Sequence, residues 1–305
     1  MKIIIAGATG FIGRHLVAFL NDSGYEIVAL CRNPQAAKRQ FSAEIKCVPF
    51  KMGDPSPWLG HLKTARALIN LIGENISTHL WSKAYKAKIR RSRLEAVATF
   101  LNGIRQVQPN ELTFMQASAV GYYGNSFLPV DEQGKVGEGF LARLTYEWER
   151  ATEPFTRLGV RRILMRFGTI LSDDGGALPK LILPYRFFAG AILGNGQQGF
   201  SWMHISDLKR AVRFLLENKH LEGVFNFVSP HPVSQKEFSK ICAEILNRPV
   251  FLRIPAWGIK LMLGEMGQFL IIDGQYVQPT ALINGRFEFK YPKIKAALEN
   301  LLVEK

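Results

Sequence analysis

A glycine-rich turn near the N-terminus constrains the fold of this chain more than any other feature. The apolar run at positions 3–6 stops at Gly7, and the segment GATGFIG places two more glycines before a helical pattern begins. In a strand–turn–helix unit that binds a dinucleotide, Gly7 would end the strand, Gly10 would let a phosphate approach the backbone, and Gly13 would let the helix pack against the strand. The N–H groups and dipole of the helix N-terminus favour a pyrophosphate at this turn.

Buried strands alternate with helices along most of the chain, which is typical of a parallel sheet covered on both faces. We therefore predict an α/β fold: a Rossmann-type doubly wound parallel sheet of about seven strands with a smaller C-terminal α/β substrate lobe. The main domain is expected at 1–166 and 204–228, and the smaller lobe at 167–203 and 229–305. The predicted strands are 3–6, 26–31, 45–50, 67–72, 112–117, 162–167 and 224–228. The predicted helices are 14–21, 82–107, 139–158 and 207–218.

The end of the second predicted strand indicates which dinucleotide binds. Folds that prefer NAD place an acidic residue there, but this strand runs into Cys31-Arg32-Asn33-Pro34. Arg32 is placed to pair with a 2′-phosphate. The sequence therefore favours NADP over NAD, unless Arg32 is only a surface residue.

The chain is basic, with 39 Lys and Arg against 25 Asp and Glu and a net charge of +14. Such a surface favours anionic ligands, but the basic segment 81–97 also fits a helix with a solvated face. Because no nucleic-acid-binding module is visible, we do not expect a nucleic-acid partner. The three cysteines have no close pair, so we expect no disulfide framework, no metal site and a cytoplasmic location. The apolar stretch 257–272 is broken by glycines and charges, so no membrane association is expected.

Several motifs resemble a known family. The spacing G-x-x-G-x-x-G with Thr9 before the middle glycine is similar to that of the extended short-chain dehydrogenase/reductases of the NAD-dependent epimerase/dehydratase superfamily. An atypical subgroup, the YfcH-like epimerase family proteins with their own C-terminal domain, is similar in several segments: INLIGENI, the Ser-Arg of RRSRLEAV, SAVGYYG, FLARLTYEWE, RFGTILSDDGGALPKLILPYRF, LGNGQQGFSWMHISDL and the tail YVQPTALINGRFEFKYPKIKAALENLL. This resemblance implies NADP binding and a sugar-nucleotide-epimerase-like architecture, and it supplies no substrate.

The resemblance also implies positions for the cofactor and the substrate. The segment after the fourth strand and the end of the sixth strand would lie beside the ribose and nicotinamide. Trp202 and His204 would face the substrate, although a buried structural histidine is the alternative for His204. The expected cofactor contacts are Gly7, Thr9, Gly10, Phe11, Ile12, Gly13, Arg32, Leu71, Ile72, Gly73, Ser118, Arg166 and Phe167.

Three residues are candidates for catalysis. Ser118 stands where the superfamily keeps a Ser or Thr that hydrogen-bonds the substrate oxygen, with a capping role as the alternative. Tyr122 lies close to Ser118 in the chain and is a candidate proton donor, as is Tyr123. Glu74, just after the fourth strand, is the acid that we expect nearest the nicotinamide.

The main catalytic pair of the superfamily, Tyr-x-x-x-Lys, is missing from the helix expected at 139–158. If Glu149 is the glutamate that relatives often keep after the Lys, then Leu141 and Thr145 stand in place of Tyr and Lys. Tyr146 and Arg150 have the right spacing in a shifted register. The literal match at Tyr291 lies after every predicted sheet strand and is rejected.

Three functions remain open. The first is an NADP-dependent oxidoreductase or epimerase acting on a small, anionic substrate. The second is a non-catalytic NADP(H)-binding sensor or partner-binding protein, suggested by the missing pair. The third is nucleic-acid association through the basic surface, which we rank last. Both a monomer and a homodimer are compatible with the sequence.

Overall fold

A seven-stranded parallel sheet forms the centre of the molecule in the computed structural model, which describes residues 1–303. The strands are β1 Lys2–Ala6, β2 Glu26–Cys31, β3 Lys46–Pro49, β4 Ala67–Asn70, β5 Thr113–Ala119, β6 Ser126–Val130, β7 Arg161–Phe167, β8 Thr169–Ser172, β9 Gly175–Gly176, β10 Gly190–Leu193, β11 Gly199–Phe200, β12 Trp202–His204, β13 Gly223–Phe227, β14 Val233–Ser234, β15 Val250–Ile254 and β16 Gln275–Val277. The sheet has the order β13-β7-β5-β4-β1-β2-β3, and its direction of winding reverses between β1 and β4. The glycine turn follows β1, so it lies at the switch point where such sheets bind ligands.

Helices cover both faces of this sheet, as the alternating pattern predicts. They are α1 Phe11–Asp22, α2 Pro34–Lys38, α3 Leu59–Leu62, α4 Lys83–Val107, α5 Phe140–Arg150, α6 Glu153–Arg157, α7 Leu178–Arg186, α8 Ile205–Glu217, α9 Gln235–Leu246, α10 Ala256–Gly267, α11 Thr280–Asn284 and α12 Ile294–Leu302. Helices α1 and α8 bury apolar residues on one face of the sheet. Helices α4, α5 and α6 do so on the other face. The predicted α/β doubly wound fold is confirmed.

Two helix boundaries show how local sequence sets the fold. Helix α4 begins after Ser82, whose Oγ accepts a hydrogen bond from the Tyr85 N–H at 3.1 Å, as an N-cap residue should. The predicted helix at 139–158 is instead two helices, α5 and α6. The break comes just before Pro154, which lies in the first turn of α6, where its missing N–H costs no hydrogen bond.

The smaller lobe is built from short sheets and has its own apolar core. Strand β10 pairs with β15, and β12 pairs with β8. Helices α7, α9 and α12 enclose a cluster that includes Tyr185, Trp202 and Phe238. Strand β16 lies along β6 and returns the chain to the main domain. Within residues 1–303, no helix is both long and apolar enough to span a membrane.

Candidate functional site

The glycine turn has the geometry that a dinucleotide needs. Gly7 has φ of +75°, a conformation that favours glycine. A Cβ at Gly13 would lie 2.2 Å from the carbonyl oxygen of Gly7, so only glycine lets α1 pack this closely on the turn. Gly10 is the N-cap of α1 and supplies no side-chain cap. The first-turn N–H groups of α1 therefore remain available to an anion.

The hairpin at 172–176, formed by the end of β8 and β9, lies against the N-terminal half of α1. The Arg14 guanidinium lies 3.2 Å from the Asp174 carboxylate, and His15 Nε2 lies 3.0 Å from its other oxygen. A Cβ at Gly176 would lie 2.6 Å from the Phe11 ring, so the hairpin contacts the helix closely. The hairpin thus joins the smaller lobe to the glycine turn.

Two other predicted cofactor segments lie beside the turn. Arg32 follows β2, is exposed, and makes no ion pair or hydrogen bond with the rest of residues 1–303. The backbone of Leu71 lies 3.0 Å from where a Cβ at Gly7 would stand, so the chain after β4 passes the turn closely. The Ile72 N–H donates to Asn70 Oδ1 at 3.0 Å, which fixes this passage. These positions are compatible with the predicted contacts.

A cavity of about 460 Å³ lies between the sheet edge and the smaller lobe. The ends of β5 and β7 form one wall, including Phe167, which is also a predicted cofactor contact. Helix α7 and the segment 269–275 form the opposite wall. Most of the lining side chains are apolar. A pocket of this kind, beside the carboxyl ends of the strands, is the expected place for a substrate.

Helix α5 presents to the cavity the two positions that the alignment on Glu149 predicts for the superfamily's Tyr and Lys. Leu141 and Thr145 both line it. The Thr145 hydroxyl donates within the helix, 2.8 Å from the Leu141 carbonyl oxygen. Tyr146 is 39% exposed and its hydroxyl accepts a hydrogen bond from Arg150, so neither residue of the shifted register lines the cavity.

Ser118 does not line the cavity, contrary to the prediction of a catalytic hydroxyl. It is 3% exposed, and its hydroxyl donates to Glu149 Oε1 at 2.5 Å. Arg166 holds the same carboxylate with two hydrogen bonds of 2.8 Å and donates a third to the Tyr123 hydroxyl. Burial alone would lower the pKa of Arg166, but the hydrogen bonds and charge of Glu149 raise it above its ordinary value. The Ser118 and Arg166 side chains thus join α5 to the sheet, and only backbone at Arg166 is left for a cofactor.

The other two catalytic candidates have partners away from the cavity. The Glu74 carboxylate lies 2.9 Å from Lys88 Nζ on α4. The Tyr122 ring packs over the Arg166 guanidinium, with its centroid 3.6 Å from Cζ. Neither residue lines the cavity. Their predicted roles as base and proton donor therefore receive no support from the geometry.

Trp202 and His204 lie in the interior, so their predicted contact with substrate is wrong. Trp202 is fully buried in the core of the smaller lobe and its Nε1 donates to the His231 carbonyl. His204 is 4% exposed, caps α8 by accepting from the Ser206 N–H, and stacks on Tyr291 at 4.0 Å. Burial lowers the pKa of His204 to about 4. The structural alternative for this histidine is the one that fits.

Ser92-Arg93 belongs to a motif of the family resemblance, but sequence reasoning gave no role to Arg93, which lines the cavity from α4. The basic segment of α4 was interpreted as a solvated helix face. Arg93, however, lies on the same face of the helix as the buried residues Ile89, Ala96 and Phe100. The spacing of those apolar residues was the signal that could have identified it. Within residues 1–303, no group of three or more His, Cys, Asp or Glu side chains is placed to hold a metal ion.

Comparisons with known proteins agree with this architecture. The model described as "NAD dependent epimerase/dehydratase family" matches residues 3–144, and a domain of unknown function, DUF1731, matches residues 254–301. The chain is 33% identical to the epimerase family protein YfhF of Bacillus subtilis, over 100% of this chain and 99% of that protein. It is 36% identical to the chloroplastic SDR39U1 homologue of Arabidopsis thaliana, over 99% of this chain and 87% of that protein.

Among solved structures, human epimerase family protein SDR39U1 with NADPH is similar at 28% identity and a TM-score of 0.86, with 99% of each chain covered. The similarity to the bacterial and plant proteins covers nearly the whole chain, so it includes the regions that both family models match. The chain therefore belongs to the epimerase family proteins of the NAD-dependent epimerase/dehydratase family that carry a C-terminal DUF1731 domain.

Proposed function

We propose that the chain is an NADP-dependent enzyme of the oxidoreductase or epimerase type acting on a small anionic substrate. The observation that carries this proposal is the exposed, unpaired Arg32 at the end of β2, next to a glycine turn whose helix N-terminus has no side-chain cap. The human relative crystallised with NADPH supports the same dinucleotide.

The residues of the turn fit that cofactor. A Cβ at Gly10 would lie 3.2 Å from the Gly7 carbonyl oxygen, so the turn is already tight before a phosphate approaches it. The first turn of α1 would hold the pyrophosphate, and Arg32 would pair with the 2′-phosphate. A bound nicotinamide supplies a hydride donor or acceptor. Phe167, at the end of β7, would separate the turn region from the substrate cavity that it also lines.

Titration of the protein with NADPH and NADH tests the cofactor. Wild type should bind NADPH at least about tenfold more tightly, equivalent to about 1.4 kcal/mol, and Arg32→Ala should abolish the preference. Arg105→Ala removes one exposed positive charge from the far end of α4 and is the matched control. Equal affinity of wild type for the two dinucleotides, or the same loss in Arg105→Ala, would overturn the NADP assignment.

A non-catalytic NADP(H) binder is the second candidate. The observation that favours it is that Leu141 and Thr145, which the alignment on Glu149 puts in place of the superfamily's Tyr and Lys, both line the cavity. Neither side chain can take the place of that pair in proton transfer. Two assays separate the two candidates. NADPH oxidation with a panel of carbonyl compounds detects an oxidoreductase, and interconversion of epimers followed by NMR detects an epimerase, which consumes no net NADPH. The enzyme proposal requires turnover in one of these assays, whereas the binder shows tight NADPH affinity and no turnover in either.

A further inference from the structure

A mostly buried cation on α4 has no carboxylate partner. Within residues 1–303, no carboxylate oxygen lies within 4.0 Å of the Arg93 guanidinium. Glu74 attracts it from further away, but that carboxylate is itself paired with Lys88. Burial lowers the pKa of Arg93 to about 10, so the side chain is charged at neutral pH. A charge held away from water without a counter-ion destabilises a fold, which makes such a group a candidate ligand site.

Arg93 lines the cavity, and one edge of its guanidinium makes no hydrogen bond within residues 1–303. Nη1 donates to the backbone carbonyls of Glu74 at 3.1 Å and Ile89 at 3.0 Å. No hydrogen bond between residues 1–303 uses Nε or Nη2. A Cβ at Gly73 would lie 3.1 Å from Cζ, 3.1 Å from Nη2 and 3.5 Å from Nε, so a side chain at position 73 would crowd the guanidinium and glycine fits there. Two N–H groups along one edge match the two oxygens of a carboxylate.

Most other polar side chains of the cavity bond within the protein. Asp273 accepts from Gln268 Nε2, whereas Gln198 Oε1 has no hydrogen-bond partner within residues 1–303. The Ser201 hydroxyl donates to the Gln275 carbonyl at 2.6 Å. The Gln235 side chain donates to Ser239 at 2.8 Å and accepts from the Leu193 N–H at 3.0 Å. The remaining walls are mainly aliphatic and aromatic, including Trp148, whose ring packs 4.9 Å from Arg93 Cζ. An apolar ligand body fits these walls.

We infer that this cavity takes an organic acid with an apolar body and a single carboxylate, and that Arg93 binds that carboxylate through Nε and Nη2. The inference rests on the proposed function in that the organic acid is the substrate whose carbonyl or hydroxyl group would meet the nicotinamide. A sugar nucleotide does not fit. Its two phosphates and many hydroxyls would lose water without enough partners, because most of the polar lining side chains already bond to the protein.

Isothermal titrations in saturating NADPH test the ligand class, with decanoate, decanol and UDP-glucose as probes. Decanoate should bind wild type at least about tenfold more tightly than decanol, and Arg93→Met should remove that difference. Arg91→Met removes an exposed arginine two positions away and should behave as wild type. UDP-glucose should bind more weakly than decanoate. Arg93→Lys keeps the charge but lacks the pair of N–H donors along one edge, so it should bind decanoate less tightly than wild type. If Arg93→Met does not fold, Arg93→Lys takes its place in the test.

Four results with the probes would overturn the inference, and a fifth with NADPH is given below. The four are no decanoate binding, equal binding of decanoate and decanol, tighter binding of UDP-glucose, and an unchanged preference in Arg93→Met. NADPH affinity is measured separately for each variant and should be the same in Arg93→Met as in wild type. If Arg93→Met loses NADPH instead, Arg93 belongs to the dinucleotide site and the inference is wrong while the proposed function stands. If wild type binds decanoate without binding NADPH, the proposed function fails and the acid site remains.

Discussion

His204 shows what burial does to a single ionisable residue. Because the pKa of His204 is lowered from 6.5 to about 4, the folded protein keeps it neutral while the unfolded chain takes up a proton below pH 6.5. The unfolded state then binds more protons, so the free energy of unfolding falls as the pH is lowered through this range. Protonation of this one histidine in the unfolded chain should lower the free energy of unfolding by about 2 kcal/mol between pH 7 and pH 5.

Urea unfolding at both pH values measures this loss. His204→Asn keeps a side-chain acceptor for the α8 cap but cannot titrate, so its pH dependence should be smaller than that of wild type by about 2 kcal/mol. The exposed His220 provides the control, and His220→Asn should lose as much stability as wild type on acidification. Parallel curves for wild type and His204→Asn would show that His204 is not the responsible group.

At the scale of elements, one ion pair holds α5 on the sheet. The Glu149 and Arg166 side chains are 8% and 4% exposed, and the carboxylate is held at both oxygens. Glu149→Gln leaves Arg166 buried without its counter-charge, which should lower the free energy of unfolding by about 3–5 kcal/mol. Glu147→Gln on the same helix breaks an exposed pair with Arg90 and should cost about 0–1 kcal/mol. Chemical denaturation compares the two, and equal losses would contradict the role given to the buried pair.

Elements whose ends are set by local chemistry could be predicted from the sequence. The apolar run 26–31 is β2 as expected, and Ser82 begins α4. Which way a side chain faces depends instead on segments far apart in the chain. Ser118 meets Glu149 from α5, 31 residues later. Trp202 is buried because α9 and α12 close over it. The cofactor turn is a local motif and could be identified from the sequence. The cavity is assembled from many segments that lie far apart in the chain, so it could not.

At the scale of the whole molecule, the C-terminal region is part of the main structure rather than an appendage. A Cβ at Gly274 would lie 2.4 Å from the Gly199 carbonyl oxygen, so two backbone segments touch where β16 begins. Gly274→Ala should force them apart, lower the free energy of unfolding by about 1–3 kcal/mol, and open the cavity wall at 269–275.

Gly258 offers the matched control for that substitution. It lies in α10, where an added Cβ meets its nearest atom at 3.8 Å. Gly258→Ala should be neutral or stabilise by about 0.5–1 kcal/mol, because alanine favours a helix. Thermal unfolding of both variants is the measurement. If Gly274→Ala unfolds at the wild-type temperature, the C-terminal region is not packed as tightly as the backbone contact indicates.

The 172–176 hairpin bears on how long a dinucleotide stays on the protein. With the pyrophosphate on the first turn of α1, as proposed, the hairpin would lie beside the dinucleotide, because it contacts Phe11 and pairs with Arg14 and His15 through Asp174. If the hairpin has to move before the dinucleotide leaves, residence time would depend on that movement as well as on the phosphate contacts. A protein that exchanges its dinucleotide slowly cannot respond to changes in the surrounding ratio of reduced to oxidised dinucleotide that are faster than this exchange. The hairpin would thus fix the time resolution with which this molecule follows its redox surroundings.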